Sequence, residues 1–456
     1  MTTGNQAASF RESLRQIPGV LDRHTLTAGF LTLVQVLSGP LLLVYLAGVE
    51  SRLIHSVGRY WFFAVLVGGG VLTLLLVLLY RRPIVAGFSV AGAAMLAQAM
   101  PGHPPAALVG AYLVSGLLML LFAGTGVHRH VLRWVPTELM MGMMVGVLLR
   151  FGVGVYTSMV QDPIMVIPTV VAFLLAWRLL RRTPPTAVAL IVGTLAGVFM
   201  GAVHWGVLPP VLTGPLLVAP EFSPQALLTL ALPLAFIAFS YHDMAALGSM
   251  ARLGWPITER PLLMSTGLFS VITAPMLGHG ITLSGPLGAI CANDMAHPLP
   301  EKRWGGALVA GILMIAAGVL AIPLLWLLGM LPTILLRTVA GLAVLPMLRQ
   351  AMELTFSARG YRLGPLFAMF IAASDMRWLG LGAVFWALII GVAVNALMSG
   401  NWRMGHADRM YEGPLPRRRA SDRVPRSSEN KGGEAQPEPA QKPDQERRRV
   451  RPSTPK

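Results

Sequence analysis

Asp243 stands inside an apolar run, 225–250, nine residues before Arg252, the first cationic residue after it. At 1.5 Å of helical rise per residue, the carboxyl group lies ~13 Å inside that boundary, near the middle of a bilayer. An ionisable side chain at such depth is expensive and is usually kept for function. It can take up and release a proton; the alternative is a protonated acid hydrogen-bonded to a neighbouring helix. His242 precedes it and points about 100° away around a helix. It could share that chemistry or be a packed, singly hydrogen-bonded imidazole. A second set of residues suits an anion. Ser89, Thr282 and Ser284 sit at the starts of two short helical runs, where hydroxyls and backbone N–H groups can bind a carboxylate or simply cap the helix. Gln35 and Ser38 are polar within another apolar run, and Phe88 and Tyr241 could face an aromatic ring.

These residues need a membrane to give them meaning. Of 456 residues, 54% are hydrophobic and only 12% are charged, where soluble domains carry about 25%. The deficit is in the body of the chain, because the last 56 residues hold 14 of the 36 Lys and Arg. Fourteen spans are expected: 24–48, 60–80, 83–100, 105–127, 135–157, 163–181 and 184–205, then 225–250, 261–278, 280–297, 304–328, 331–350, 363–376 and 378–399. With residues 1–23 cytoplasmic, inside segments before the tail carry 17 Lys and Arg, and outside loops only Arg52, Arg59 and Arg377. That bias supports fourteen spans with both ends cytoplasmic, in the inner membrane. Residues 401–456, rich in Pro, Arg, Glu, Gln and Ser, read as a disordered basic tail.

The chain also repeats itself. Pro136-Thr137-Glu138-Leu139 returns as Pro332-Thr333-Ile334-Leu335, an offset of 196, and Ser89 to Met100 resembles Ser284 to Met295 at an offset of 195. Seven spans per repeat is odd, so the repeats 24–205 and 225–400 must be inverted relative to each other, as in many secondary transporters. The third and tenth spans look broken. Ile84 to Phe88 and Gly278 to Leu283 read as short extended stretches before helices that begin near mid-membrane at Ser89 and Ser284. Two helix N-termini would then face one another, a site suited to an anion. Close helix packing by small residues would explain the same composition.

Three stretches, Ser89-Val-Ala-Gly-Ala-Ala-Met-Leu96, Gly146-Val-Leu-Leu-Arg150-Phe-Gly152 and Ala289-Ile-Cys-Ala-Asn-Asp-Met-Ala-His297-Pro298, carry a resemblance to the benzoate:proton symporter (BenE-like) family over roughly 24–400. The resemblance implies a fold like that of uracil and anion transporters. In it a core domain (spans one to four and eight to eleven) meets a gate domain (five to seven and twelve to fourteen), with substrate between the half-helices of spans three and ten. It implies proton-coupled import of an aromatic carboxylate. This chain departs from the family at His242-Asp243-Met244, at Ala91 and at Thr282, all near the implied site. A carrier of another anion or of a neutral nucleobase, and a passive channel, remain alternatives. An enzyme would need a convergent catalytic set, and the spans offer no zinc-binding His pair, nucleophile elbow or paired carboxylates. One cysteine, Cys291, excludes a disulfide framework. No cofactor or metal is expected. The expected partners are a small organic anion, protons and lipid, not nucleic acid, and a homodimer is left open.

Overall fold

The computed structural model describes residues 10–126, 135–180, 183–207, 209, 212–357, 363–374 and 376–399. The basic tail expected at 401–456 lies outside the described residues.

The described residues form mostly apolar helices, seven of them long and apolar enough to cross a membrane. Helix α1 is Phe10–Val20, α2 Arg23–Ser38 and α3 Pro40–Glu50. The first expected span is therefore bent: Gly39 departs from helical geometry (φ −139°, ψ −82°) and Pro40 starts the next helix. Asp22 caps α2. Its Oδ1 accepts the N–H groups of His24 and Thr25 at 2.9 and 3.0 Å, and Thr25 Oγ1 accepts the Asp22 N–H. Asp22 Oδ2 also takes a 2.8 Å bond from His297 Nε2. Because Leu299 N–H donates to His297 Nδ1, the ring proton sits on Nε2. Burial works to raise the Asp22 carboxyl, but the N–H groups of Thr25 and His24, and then His297, outweigh it and hold the group below its ordinary value. The sign follows: this stabilisation is complete above about pH 4 and fades as pH falls through the lowered value. Asp22→Ala should cost about 1 kcal/mol at neutral pH, with the difference from wild type closing in acid. Thermal melts in detergent at two pH values check this; a pH-independent difference would remove the carboxylate from the account.

Helix α4 (Ile54–Tyr80) starts six residues before its expected edge and is followed by strand β1 (Ala86–Phe88) and α5 (Val90–Ala99). Next come α6 (Pro105–Thr125), α7 (Thr137–Gln161), α8 (Pro163–Leu179) and α9 (Pro185–Phe199). Helix α10 runs Pro224–Arg252 and contains two widened stretches, Leu227–Ala231 and Ile237–Asp243. Then follow α11 (Glu259–Thr273), strand β2 (Ile281–Leu283), α12 (Gly285–Ala292), α13 (Trp304–Val319) and α14 (Ala321–Met330). The expected span 304–328 is thus two helices. Pro323 has no N–H for the Val319 carbonyl four residues back, and that carbonyl accepts the Thr213 N–H at 2.8 Å instead. The chain continues through α15 (Thr333–Ser357), α16 (Leu363–Ala373), a short hairpin of β3 (Arg377–Trp378) and β4 (Leu381–Gly382), and α17 (Ala383–Ser399). The hairpin occupies the start of what reads as the fourteenth span.

Packing divides the helices into two sets. Helix α13 lies on α4 and α2, α11 on α6, and α3 on α5. Helix α7 lies against α15 and α16, α16 against α17, and α8 against α9. The sets touch where Ser38 meets Thr186 (Oγ–Oγ1 2.8 Å) and where the Tyr241 hydroxyl donates to the Met347 carbonyl at 3.3 Å. Leu174, Trp177, Ile191 and Leu195 on α8 and α9 face outward, the pattern of a helix whose outer solvent is lipid.

Candidate substrate-binding centre

Strands β1 and β2 pair antiparallel, with Ala86 opposite Leu283, Gly87 opposite Thr282 and Phe88 opposite Ile281. Extended backbone inside an apolar protein leaves one edge of each strand needing partners. Hydroxyls on the preceding helices supply them. Thr73 Oγ1 of α4 accepts the Ala86 N–H at 2.9 Å, and Ser270 Oγ of α11 accepts the Ile281 N–H at 2.8 Å. Helix α4 also comes close enough to β1 that only glycine fits: a Cβ on Gly69 would stand 2.9 Å from Gly87 Cα. Because the strands are antiparallel, α5 and α12 leave opposite ends of the ladder. Ser89 caps α5 by accepting the Gly92 N–H at 3.0 Å, and Ser284 caps α12 by accepting the Leu287 N–H at 3.4 Å. The N–H groups of both first turns therefore gather around the ladder.

Asp243 is fully buried and closes the remaining gap. Its Oδ1 accepts the Leu283 N–H at 2.7 Å, and its Oδ2 lies 2.8 Å from Thr266 Oγ1 on α11. Thr266 Oγ1 is also 3.0 Å from the Leu263 carbonyl. A hydroxyl has one proton, so it cannot serve both oxygens at once. With Asp243 ionised, Thr266 donates to the carboxylate. With a proton on Oδ2, that proton is donated to Thr266 Oγ1, and Thr266 turns to Leu263. Asp243 is thus tied to the strand that carries Thr282. The widening of α10 over Ile237–Asp243, where the Met244 N–H reaches back five residues to Phe239 O, sets this aim; such one-turn insertions cluster at functional sites.

His242, on the same turn, points the other way, with Nδ1 3.4 Å from Ser89 Oγ. Its Nε2 is shielded from solvent and without a hydrogen-bond partner among the described residues, and so is Thr282 Oγ1 on the fully buried Thr282. Buried polar atoms are normally satisfied; these two are not, and they lie on elements in contact at this ladder. Phe88 is buried with its ring 5.8 Å from that of His279. Tyr241 packs edge-on to His242 at 5.0 Å while its hydroxyl goes to Met347. Gln35 lies half-buried on α2, its Nε2 3.7 Å from where a Gly39 Cβ would stand. The structure brings Ser89, His242, Asp243, Thr282 and Ser284 around one ladder and leaves Gln35 at the α2–α3 bend.

His279 escaped the sequence reading and is the most constrained side chain here. Trp61 Nε1 donates to its Nδ1 at 2.8 Å, and its Nε2 is 3.0 Å from the Ser89 carbonyl. An indole N–H only donates, so Nδ1 is the acceptor and Nε2–H donates to Ser89. The rings of Trp61 and Tyr112 stand edge-on to it at 5.4 and 6.4 Å. An intramembrane histidine between two glycines, Gly278 and Gly280, was the signal available. Thr73, Thr266 and Ser270 were also missed, because a hydroxyl in an apolar helix usually bonds its own backbone.

The fold has solved counterparts. The transmembrane domain of the cyanobacterial bicarbonate transporter BicA is similar over 85% of this chain and 99% of its own, with a TM-score of 0.53 and 14% identity. SLC26A9 is similar over 88% of this chain and 72% of its own, with a TM-score of 0.57 and 13% identity. Two relatives are similar in sequence. A benzoate membrane transport protein of Acinetobacter baylyi is 27% identical over 365 residues, 80% of this chain and 92% of that protein. The inner membrane protein YdcO of Escherichia coli K12 is 28% identical over 372 residues, 80% of this chain and 94% of that protein. Membrane-crossing helices in this fold and the match to these relatives define the class: a polytopic membrane transporter. The chain belongs to the benzoate membrane transport protein family, whose description matches residues 20–397.

Proposed function

We propose that this protein is a proton-coupled symporter that imports a small aromatic carboxylate, of which benzoate is the type, across the inner membrane. The observation that carries the proposal is the pair of unpartnered buried atoms, Thr282 Oγ1 and His242 Nε2, beside the Ser89 cap. They join the N–H groups of two opposed helix starts, which favour negative charge by up to about 2 kcal/mol in partly buried geometry. Asp243 supplies the proton: an anion entering with a protonated Asp243 adds no net charge to the interior. The membership of the family and the bicarbonate transporter among the fold relatives agree with an anionic cargo.

The remaining architecture follows the same reading. Seven spans invert onto seven, 24–205 onto 225–400, with α5 and α12 as half-helices that start near mid-membrane and both chain ends cytoplasmic. The set containing α2–α6 and α10–α14 is the core, and the set containing α7–α9 and α15–α17 is the gate. Support comes from the matched strand–helix pairs at β1–α5 and β2–α12, and from the charge bias of the loops. Tyr241 and Ser38, bonded across the two sets, are contacts that a sliding core must break and remake.

The test compares benzoate with benzamide in purified wild type and Thr282→Val. Wild type should bind the acid far more tightly than the amide. Valine fills the threonine volume and removes a hydroxyl that has no partner, so folding should be unharmed while benzoate affinity falls on the order of tenfold, about 1.4 kcal/mol. Equal binding of acid and amide would defeat the anion reading and promote a neutral nucleobase. Unchanged affinity in Thr282→Val would take this hydroxyl out of the site.

A further inference from the structure

A cavity of about 210 Å³ lies at the end of α5 remote from Ser89. Gln98 at the end of α5, Thr229 in the first widened stretch of α10, Ser374, Arg377 of β3, and Gly382 and Val384 at the start of α17 line it. Thr229 is 4% exposed and its Oγ1 has no hydrogen-bond partner among the described residues; Gln98 Nε2 is likewise buried without one. The leading N–H groups of α17, a 17-residue helix, have no acceptor within the helix and bear its positive end. Ser374 does not compete for a ligand, since its hydroxyl donates to the Ile371 carbonyl at 2.7 Å.

The walls are held in place. Gln225 Nε2 of α10 donates to the Gly380 carbonyl at the hairpin turn at 2.6 Å. Trp386 Nε1 of α17 donates to the Trp378 carbonyl at 3.0 Å, with the two indole rings 4.5 Å apart. The hairpin that presents Arg377 is thereby fastened to both helices that bound the cavity. Donors from four elements converge: a carboxamide N–H, a hydroxyl, a guanidinium and a helix start. Each favours an anion, and guanidinium pairs with a carboxylate in particular.

We propose that this cavity is a second binding site for a small organic carboxylate, separate from the centre at Ser89, His242 and Thr282. In the proposed orientation Arg377 lies on the outer side, so the site captures the anion before it reaches the ladder. Its ligand class rests on the carboxylate reading of the central site; its existence rests on its own donors.

Benzoate binding to the purified full-length protein is measured by calorimetry, and benzoate uptake in proteoliposomes, for wild type, Thr229→Val, Arg377→Gln and Thr282→Val. Two binding events are expected in wild type. Thr229→Val and Arg377→Gln each remove the outer event and raise the KM for uptake on the order of tenfold, with kcat little changed. Thr282→Val weakens the other event on the order of tenfold. A single event in wild type, weakened in Thr282→Val and untouched in Thr229→Val and Arg377→Gln, would overturn the second site and leave the central one standing. Loss only in Thr229→Val and Arg377→Gln would support the second site and count against the central one. No benzoate binding to wild type would overturn both.

Discussion

Asp243→Asn is expected to abolish proton-driven accumulation of substrate while counterflow exchange persists. The geometry explains why the variant should still fold. Asn Oδ1 can keep the Leu283 N–H, and its Nδ2 can donate to Thr266 Oγ1, which then donates to the Leu263 carbonyl. That is the bonding of the protonated acid, made permanent. Coupling requires the other half of the cycle, in which the proton leaves and Thr266 turns to the carboxylate. For one proton carried with one monovalent anion, each pH unit across the membrane can sustain about tenfold accumulation, about 1.4 kcal/mol. The variant should show none at any gradient, yet exchange labelled for unlabelled substrate. Uptake of the variant at wild-type accumulation ratios under an imposed pH gradient would remove Asp243 from coupling. Asp243→Ala is a different experiment, since it strands the Leu283 N–H and is expected to impair folding by roughly 1–3 kcal/mol.

His279→Leu should be the most damaging single change to the stability of the ladder, by about 2–4 kcal/mol. Leucine replaces much of the ring's volume but neither of its hydrogen bonds. The Trp61 indole N–H, fully enclosed, would lose its acceptor, and the Ser89 carbonyl would keep only the Ala93 N–H. The second loss bears on transport, because Ser89 starts α5. His279→Gln offers an acceptor and a donor on one side chain and should recover part of the deficit. Apparent melting temperatures in detergent, read beside benzoate affinity, test this. A His279→Leu protein as stable as wild type would show that the Trp61–His279–Ser89 chain does not hold the ladder.

Much of the fold was readable from local properties. Apolar length and the placement of arginines are features of contiguous sequence, and they exposed the membrane-crossing helices and put Asp243 inside one of them. Ser89 and Ser284 were identifiable as helix starts because capping depends on a residue and its next three neighbours. The extended stretches before them showed in their glycines. Helix breaks were less legible. Leu320 looked like mid-span because the bond that compensates Pro323 comes from Thr213, more than a hundred residues away.

The amino-acid sequence by itself determined that this is a many-span membrane protein with a carboxylate inside one of its apolar helices. The tertiary structure alone decided what that carboxylate touches. In an apolar chain the residues facing lipid and those facing protein are nearly alike in composition, so pattern cannot say which hydroxyl meets which backbone. Thr266 and Leu283 reach Asp243 from another helix and from a strand; Thr73 and Ser270 satisfy strand edges; His279 joins Trp61 to Ser89 across the fold. Which buried polar groups were left without a partner among the described residues, Thr282 and His242 at the ladder and Thr229 and Gln98 at the other cavity, could be known only after every other partner had been placed, because hydrogen-bond satisfaction is a property of the whole packed interior.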